Sequence, residues 1–152
     1  MIFACDMMLG KLARHLRVLG LDTLSLKSPG EVEKCLNSDA ACRFLTRRTA
    51  LKGRDRVVFI HSDRPKEQLI EIRDVVSPYI EVSKIMTRCI ECNVPLDDIP
   101  KRDIEQYVPE FVYHHYETFK ACPSCGKVYW EGTHAAAMMR LIEEVCGDRT
   151  VK

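Results

Sequence analysis

Ile2-Phe3-Ala4-Cys5-Asp6-Met7-Met8-Leu9-Gly10-Lys11-Leu12-Ala13-Arg14-His15-Leu16-Arg17-Val18-Leu19-Gly20 decides the fold class. Four apolar residues read as a short strand, and Asp6 stands directly after it. Leu9, Leu12, Leu16 and Leu19 then recur at three- and four-residue steps until Gly20, where a helix would stop. Lys11, Arg14, His15 and Arg17 fall off the leucine stripe, so this helix is expected to bury one side and show positive charge on the other. Outward from this unit the pattern repeats. Thr23 to Leu26 reads as a strand, Ser28-Pro29-Gly30 as a turn and Glu31 to Leu36 as a short helix. Arg43 to Thr46 and Arg56 to Ile60 read as buried strands. Pro65 opens a helix with Leu69, Ile70, Ile72, Val75 and Val76 on its apolar face, and the alternation of Tyr79 to Ile85 predicts one more strand. Strands separated by helices predict an α/β unit with a mostly parallel sheet covered on both faces. Ligands collect at the carboxyl ends of such strands, which marks Asp6 as a functional position, although an N-cap would use the same residue type there.

Length and charge bound the function. A chain of 152 residues suffices for one domain or two small units, and 46% hydrophobic with 30% charged residues is the composition of a folded protein. The apolar runs Met1 to Cys5 and Ala135 to Met139 are far short of the roughly 20 residues a spanning helix needs, so no membrane partner is expected. The first ten residues lack a basic leader, and an intracellular setting, cytoplasm or nucleus, is expected. The net charge of +1 conceals an asymmetry. Residues 1–84 carry 15 Lys and Arg against 11 Asp and Glu, whereas residues 85–152 carry 8 against 11. Arg43, Arg47, Arg48, Lys52, Arg54 and Arg56 crowd around the single acid Asp55, the footprint of a phosphate-binding surface or of a solvated basic face.

Eight cysteines sort by spacing. Cys89-Ile90-Glu91-Cys92 and Cys122-Pro123-Ser124-Cys125 form two knuckles, each able to aim two sulfurs at one point, and together they supply the four thiolates of a structural zinc. The 29 residues between the pairs exceed the usual spacing of about 15 to 20 and predict extra elements there. A redox dithiol would need a single pair. Four protein ligands leave no open position, so the zinc is expected to be structural, and the cluster adds about two negative charges to the acidic half. Nucleic-acid contacts are then expected mainly on the first half, with Lys101, Arg102, Lys120 and Lys127 as local contributors. Cys5, Cys35, Cys42 and Cys146 read as core thiols. His114, His115 and His134 are read as surface or core residues, because neighbours on a strand point to opposite faces. Thr133 is expected to cap a last helix with Ala135, Met138, Ile142 and Val145 on one stripe.

Phe3 to Arg14, Leu19 to Thr23, Leu45-Thr46-Arg47, Arg88 to Asn93 and Cys122 to His134 together resemble the Mut-seven C-terminal domain family, over essentially the whole chain. The resemblance implies a PIN-like nuclease fold, expected over 1–86, joined to a zinc ribbon with a C-terminal helix over 87–152. The wording is closest to the animal version, which follows a 3′-to-5′ exoribonuclease domain in a longer protein, and so implies a role beside such an enzyme in RNA processing or silencing. The family's nucleases hold Mg²⁺ or Mn²⁺ on acids at strand ends. Asp6 matches the first of these, Glu31 or Glu33 would match the acid on the short helix, and Asp63 is a further candidate. The pattern breaks after Leu45-Thr46-Arg47, where the family typically has an aspartate and this chain has Arg48.

That exchange changes the local charge by two units where cations would have to gather, and it offers a guanidinium to phosphate instead. The expectation is an RNA-binding accessory module with a degenerate nuclease site. Lys11, Arg14, Arg17, Arg43, Arg47, Arg48, Lys52, Arg54 and Arg56 would contact single-stranded RNA, with Tyr113, Tyr116 or Trp130 available for stacking. The alternatives are an active metal-dependent ribonuclease using Asp6, Glu31 and Asp63, and a protein-docking module using the acidic ribbon or the helix with Met138, Met139, Leu141 and Ile142.

Overall fold

A computed structural model of the chain describes residues 1–147. Four strands form one parallel sheet in the order β2-β1-β3-β4: β1 is Ile2–Asp6, β2 Thr23–Leu26, β3 Cys42–Thr46 and β4 Val57–Phe59. Helix α1 (Gly10–Val18) crosses from β1 to β2 and α2 (Pro29–Leu36) from β2 to β3. A short 3-10 turn, Thr49–Leu51, serves between β3 and β4. The expected α/β fold with a parallel sheet is what forms. Successive residues of the strands alternate between two cores, as the pleat requires. Phe3, Cys5 and Leu45 pack with Leu12 and Leu16 of α1 on one face, while Ala4 and Phe44 pack with Leu26, Val32 and Cys42 on the other.

Helix α3 (Pro65–Val76) joins the first face through Leu69, Ile72 and Val76. The expected strand over Tyr79 to Ile85 does not form. Two 3-10 turns, Ser77–Tyr79 and Val82–Lys84, replace it, because the segment passes over the end of α1 instead of along a strand. Met86 N–H donates to the Val18 carbonyl at 2.7 Å. Gly20, at φ +82°, lets Lys84 lie directly on it, since a Cβ there would meet the Lys84 carbonyl oxygen at 2.3 Å.

A three-stranded antiparallel sheet follows: β5 (Asp97–Ile99), β6 (Phe119–Ala121) and β7 (Val128–Tyr129), in that order. Helix α4 (Glu110–His115) fills part of the insertion between the cysteine pairs over a small core of Ile104, Val112 and Phe119. His114 and His115 thus sit on a helix and not on a strand, and both are exposed. Helix α5 (Thr133–Cys146) has Gly132 in the capping position expected for Thr133. It follows the ribbon in sequence but packs with α3 in space, sending Ile142 and Val145 into the core of the parallel sheet.

Arg17 joins the two units. The leucine stripe placed it on the solvent side of α1, yet it is 8% exposed. Its Nε donates to the Thr23 carbonyl at 2.9 Å, Nη2 to Ser25 Oγ at 3.2 Å and Nη1 to the Ile90 carbonyl, inside the first knuckle, at 2.7 Å. Asn93 reinforces the joint, accepting from Thr23 N–H at 2.9 Å and donating to Asp22 at 2.7 Å. Replacing Arg17 by Met should lower unfolding free energy by about 3 kcal/mol, because the change removes a charge-assisted network and leaves buried carbonyls without donors. Urea denaturation monitored at Trp130 would measure it, and an unchanged midpoint would disprove the assigned role.

Candidate functional site

Because all four strands run parallel, Asp6, Lys27, Arg47 and Arg48, and His61 to Arg64 gather at one carboxyl edge. Asp6 is buried at its centre. Oδ1 accepts from Met7 N–H at 2.9 Å and from Arg48 Nη2 at 2.6 Å. Oδ2 accepts from Thr46 Oγ1 at 2.7 Å and from Arg48 Nε at 2.6 Å. A carboxylate offers about four lone-pair sites, so this one is saturated. The Met7 bond also makes Asp6 the cap of the 3-10 turn Met7–Leu9. Burial pushes its pKa up, but the bonds from Arg48, Thr46 and Met7 outweigh burial and hold the carboxyl below its usual value.

The other candidate acids do not converge on Asp6. Glu31 is turned back on its own backbone, accepting from Lys27 N–H at 2.6 Å and Ser28 N–H at 3.2 Å in the capping box of α2. Glu33 forms a two-point pair with Arg54, at 2.7 and 3.3 Å. Asp63 is exposed beyond β4. Glu71, at the same edge, accepts from the His61 and Ser62 N–H groups at 2.9 and 2.7 Å. Among the described residues, no three acids or histidines come close enough to share an ion.

The basic stretch divides between two edges. Arg47 and Arg48 follow β3 at the carboxyl edge, and Lys52 returns there over the Phe59 ring, 4.9 Å from its centroid. Arg43 and Arg56 stand at the amino ends of β3 and β4, and Arg54 lies just before Arg56 in the loop that enters β4. At about 3.3 Å per residue, the length of β3 separates the two groups by roughly 13 Å. Arg56 is spent on the Ser38 and Ala40 carbonyls, at 2.6 and 3.3 Å. Arg14 pairs with Glu91 at 2.9 Å, and Arg17 is interior. Lys11, Arg47, Lys52 and Arg64 remain as exposed cations near the carboxyl edge, with the half-exposed face of Arg48 among them. Of the expected cationic surface, Arg14, Arg17, Arg43, Arg54 and Arg56 thus sit in structural contacts or at the opposite edge. Lys101 and Lys120 pair with Glu117 and Asp98.

Cys89, Cys92, Cys122 and Cys125 bring their sulfurs within 4.8 Å of one another, and Cys89 Sγ lies 3.9 Å from Cys125 Sγ. Tetrahedral zinc at about 2.3 Å from each sulfur requires S···S distances near 3.8 Å, so the donor set fits. The two knuckles repeat one geometry. Asn93 and Gly126, each directly after the second cysteine of its pair, have φ of +61° and +76°. Cys92 N–H points at Cys89 Sγ, and Ser124 and Cys125 N–H point at Cys122 Sγ, each at 3.4 Å. The Tyr129 hydroxyl lies 3.1 Å from Cys89 Sγ and accepts from Ile90 N–H. Burial pushes the Cys89 thiol up, yet these donors bring it to about 7. Of the scattered cysteines, Cys5 and Cys42 are buried and Cys35 is partly so; the Cys146 and His134 side chains lie outside the described residues.

The stacking candidates Tyr113, Tyr116 and Trp130 pack against the ribbon core. Met138, Met139 and Leu141 pack against the main core, where Ile142 is buried. Other large side chains are exposed, among them Met7 and Met8 beside Asp6 and Tyr107 and Phe111 in the insertion. Sequence reasoning passed over them because a single apolar residue carries no sign of which way it faces.

A family model described as the Mut7-C RNAse domain matches residues 1–142. No curated protein and no solved structure matches the chain.

The Asp6–Arg48 pair should be measurable as coupling. Arg48→Ala is expected to cost about 2 to 3 kcal/mol, less than a fully buried pair because the Arg48 side chain is 39% exposed, and the cost should largely vanish in an Asp6→Asn background. The depressed carboxyl stabilises the fold above its ordinary pKa near 4, and that contribution is lost as pH falls through its lower native value; Asp6→Asn should flatten this part of the acid unfolding curve. For the metal centre, one zinc per chain is expected by atomic absorption, with about tenfold weaker retention against a chelator in Tyr129→Phe.

Proposed function

The chain belongs to the Mut7-C RNAse domain family, and from that premise we propose that it binds single-stranded RNA at the carboxyl edge of its parallel sheet without cutting it. Membership supports an RNA-related role. The choice of binding over cleavage is carried by one observation, the saturation of Asp6 by Arg48, Thr46 and Met7. A metal-dependent nuclease needs acids with free lone pairs facing a common point. Here the central acid has none to give, a guanidinium stands against it, and Glu31 is committed to the α2 cap. A divalent cation placed a few ångströms from Arg48 would be repelled by several kcal/mol.

The same edge suits a phosphate chain. Lys11 in the first turn of α1, Arg47, Lys52 and Arg64 are exposed, and the Nη1 of Arg48 makes none of the bonds that hold Asp6. Phe59 and His61, in edge-to-face contact at 4.9 Å, lie among these cations as a surface on which a base can stack. The zinc-bearing unit holds α1 and β2 in place through Arg17 and Asn93 and takes no part in chemistry. By the resemblance to animal relatives, the module would serve an exoribonuclease by holding its substrate.

Fluorescence anisotropy with a labelled oligouridylate should show binding whose logarithm falls with log salt by about 0.7 per phosphate contacted. Lys11→Glu with Arg47→Glu should weaken it tenfold or more. The RNA should stay intact in Mg²⁺ or Mn²⁺, and cleavage that disappears in Asp6→Asn would overturn the proposal. In Arg48→Asp, Mn²⁺ should raise the melting temperature, an effect absent from the unmodified chain.

A further inference from the structure

We propose that the insertion between the two cysteine pairs is a docking surface for a cationic polypeptide segment with apolar anchors. This surface is separate from the RNA-facing edge. The zinc needs only the knuckles, yet the chain spends 29 residues between them and builds there a small core of Ile104, Val112 and Phe119. That core leaves two large aromatics outside. Tyr107 is 67% exposed and Phe111 66%, and with only three residues between them the chain keeps their Cα atoms within about 14 Å of each other. Phe111 continues into a row of rings, with His115 at 6.3 Å and Tyr116 at 5.2 Å from His115. Tyr107 borders an open hollow also lined by Arg102, Asp103, Glu105 and Gln106. Exposed aromatics grouped in this way are what the centre of a protein interface is made of.

Charge selects the occupant. Residues 97 to 117 hold Asp97, Asp98, Asp103, Glu105, Glu110 and Glu117 against Lys101 and Arg102. The two cations are already matched to Glu117 and Asp103. Asp97 and Glu105 have no ion-pair partner among the described residues, and Glu110 faces only His114, at 3.9 Å. Four thiolates around a zinc add further negative charge nearby. A polyanion such as RNA would be repelled from these rings, whereas a Lys- or Arg-rich segment would be drawn to them, its apolar residues covering Tyr107 and Phe111. A second copy docking symmetrically would bring like charges together.

The test uses the zinc-loaded full chain and an amphipathic peptide of Leu and Lys, about 14 residues long, as probe. Amide shifts in two-dimensional NMR should centre on residues 101–117. Tyr107→Ser with Phe111→Ser should weaken binding at least tenfold, as should Glu105→Lys with Glu110→Lys. All four side chains are exposed, so the variants should keep their zinc and melting temperature. A matched Leu and Glu peptide should not bind. Shifts centred elsewhere, unchanged affinity in either variant, or the same residues responding to oligouridylate would overturn the proposal. So would concentration-dependent self-association of the chain that either pair of substitutions abolishes.

Discussion

A buried guanidinium ties the parallel sheet of this protein to its cysteine knuckle. Arg17 reaches from α1 to the backbone of β2 and on to the backbone of the first cysteine knuckle, with no carboxylate among its hydrogen-bond partners. Carbonyl oxygens aimed at a fixed fork of N–H donors specify position more sharply than a charge pair would, because each bond is directional. The knuckle in turn presents those carbonyls only when its turn is closed around the sulfurs, and Asn93 locks the same turn to Asp22 and Thr23. The four-cysteine site is thus a structural element of the sheet as much as of the ribbon.

At the carboxyl edge the one buried acid has its oxygens already occupied. Arg48 stands two residues beyond β3, and the surrounding atoms close over Asp6: a threonine hydroxyl, a main-chain N–H and a two-point guanidinium contact account for every lone pair of Asp6. Asp6 is a hub for positioning Arg48, and the cations around it are exposed. Electrostatically, exposed cations around a neutralised carboxylate leave a local field that favours anions.

Much of this was legible from residue order. The strand-helix alternation, the leucine stripe of α1 and the Pro-initiated α3 are local patterns, and they formed as read. The cysteine pairs were legible because ligand spacing is itself geometry. Tyr79 to Ile85 misled because its alternation of apolar residues was fitted to a path over Gly20 and Val18, with Ile80 alone turned fully inward. Arg17 misled because helical periodicity reports one buried face, and the second face is buried by a segment 73 residues further on. The basic stretch misled because closeness in sequence along a strand becomes separation across the sheet. The departure at Arg48 was visible; that it would grip Asp6, 42 residues earlier, depends on the pairing of β1 with β3.

Helix α5 carries a consequence for how the molecule is made. Leu69, Ile72 and Val76 are in place once α3 exists, but the residues that cover them, Ile142 and Val145, lie about 70 positions later, beyond the entire ribbon. At a synthesis rate of about 5 to 20 residues per second, the growing chain carries an open apolar face for on the order of several seconds. During that interval the whole ribbon is synthesised beside a sheet that still lacks one of its helical covers. Helix α5 therefore acts as a closing seal, and nascent chains that stall inside the ribbon leave Leu69, Ile72 and Val76 uncovered.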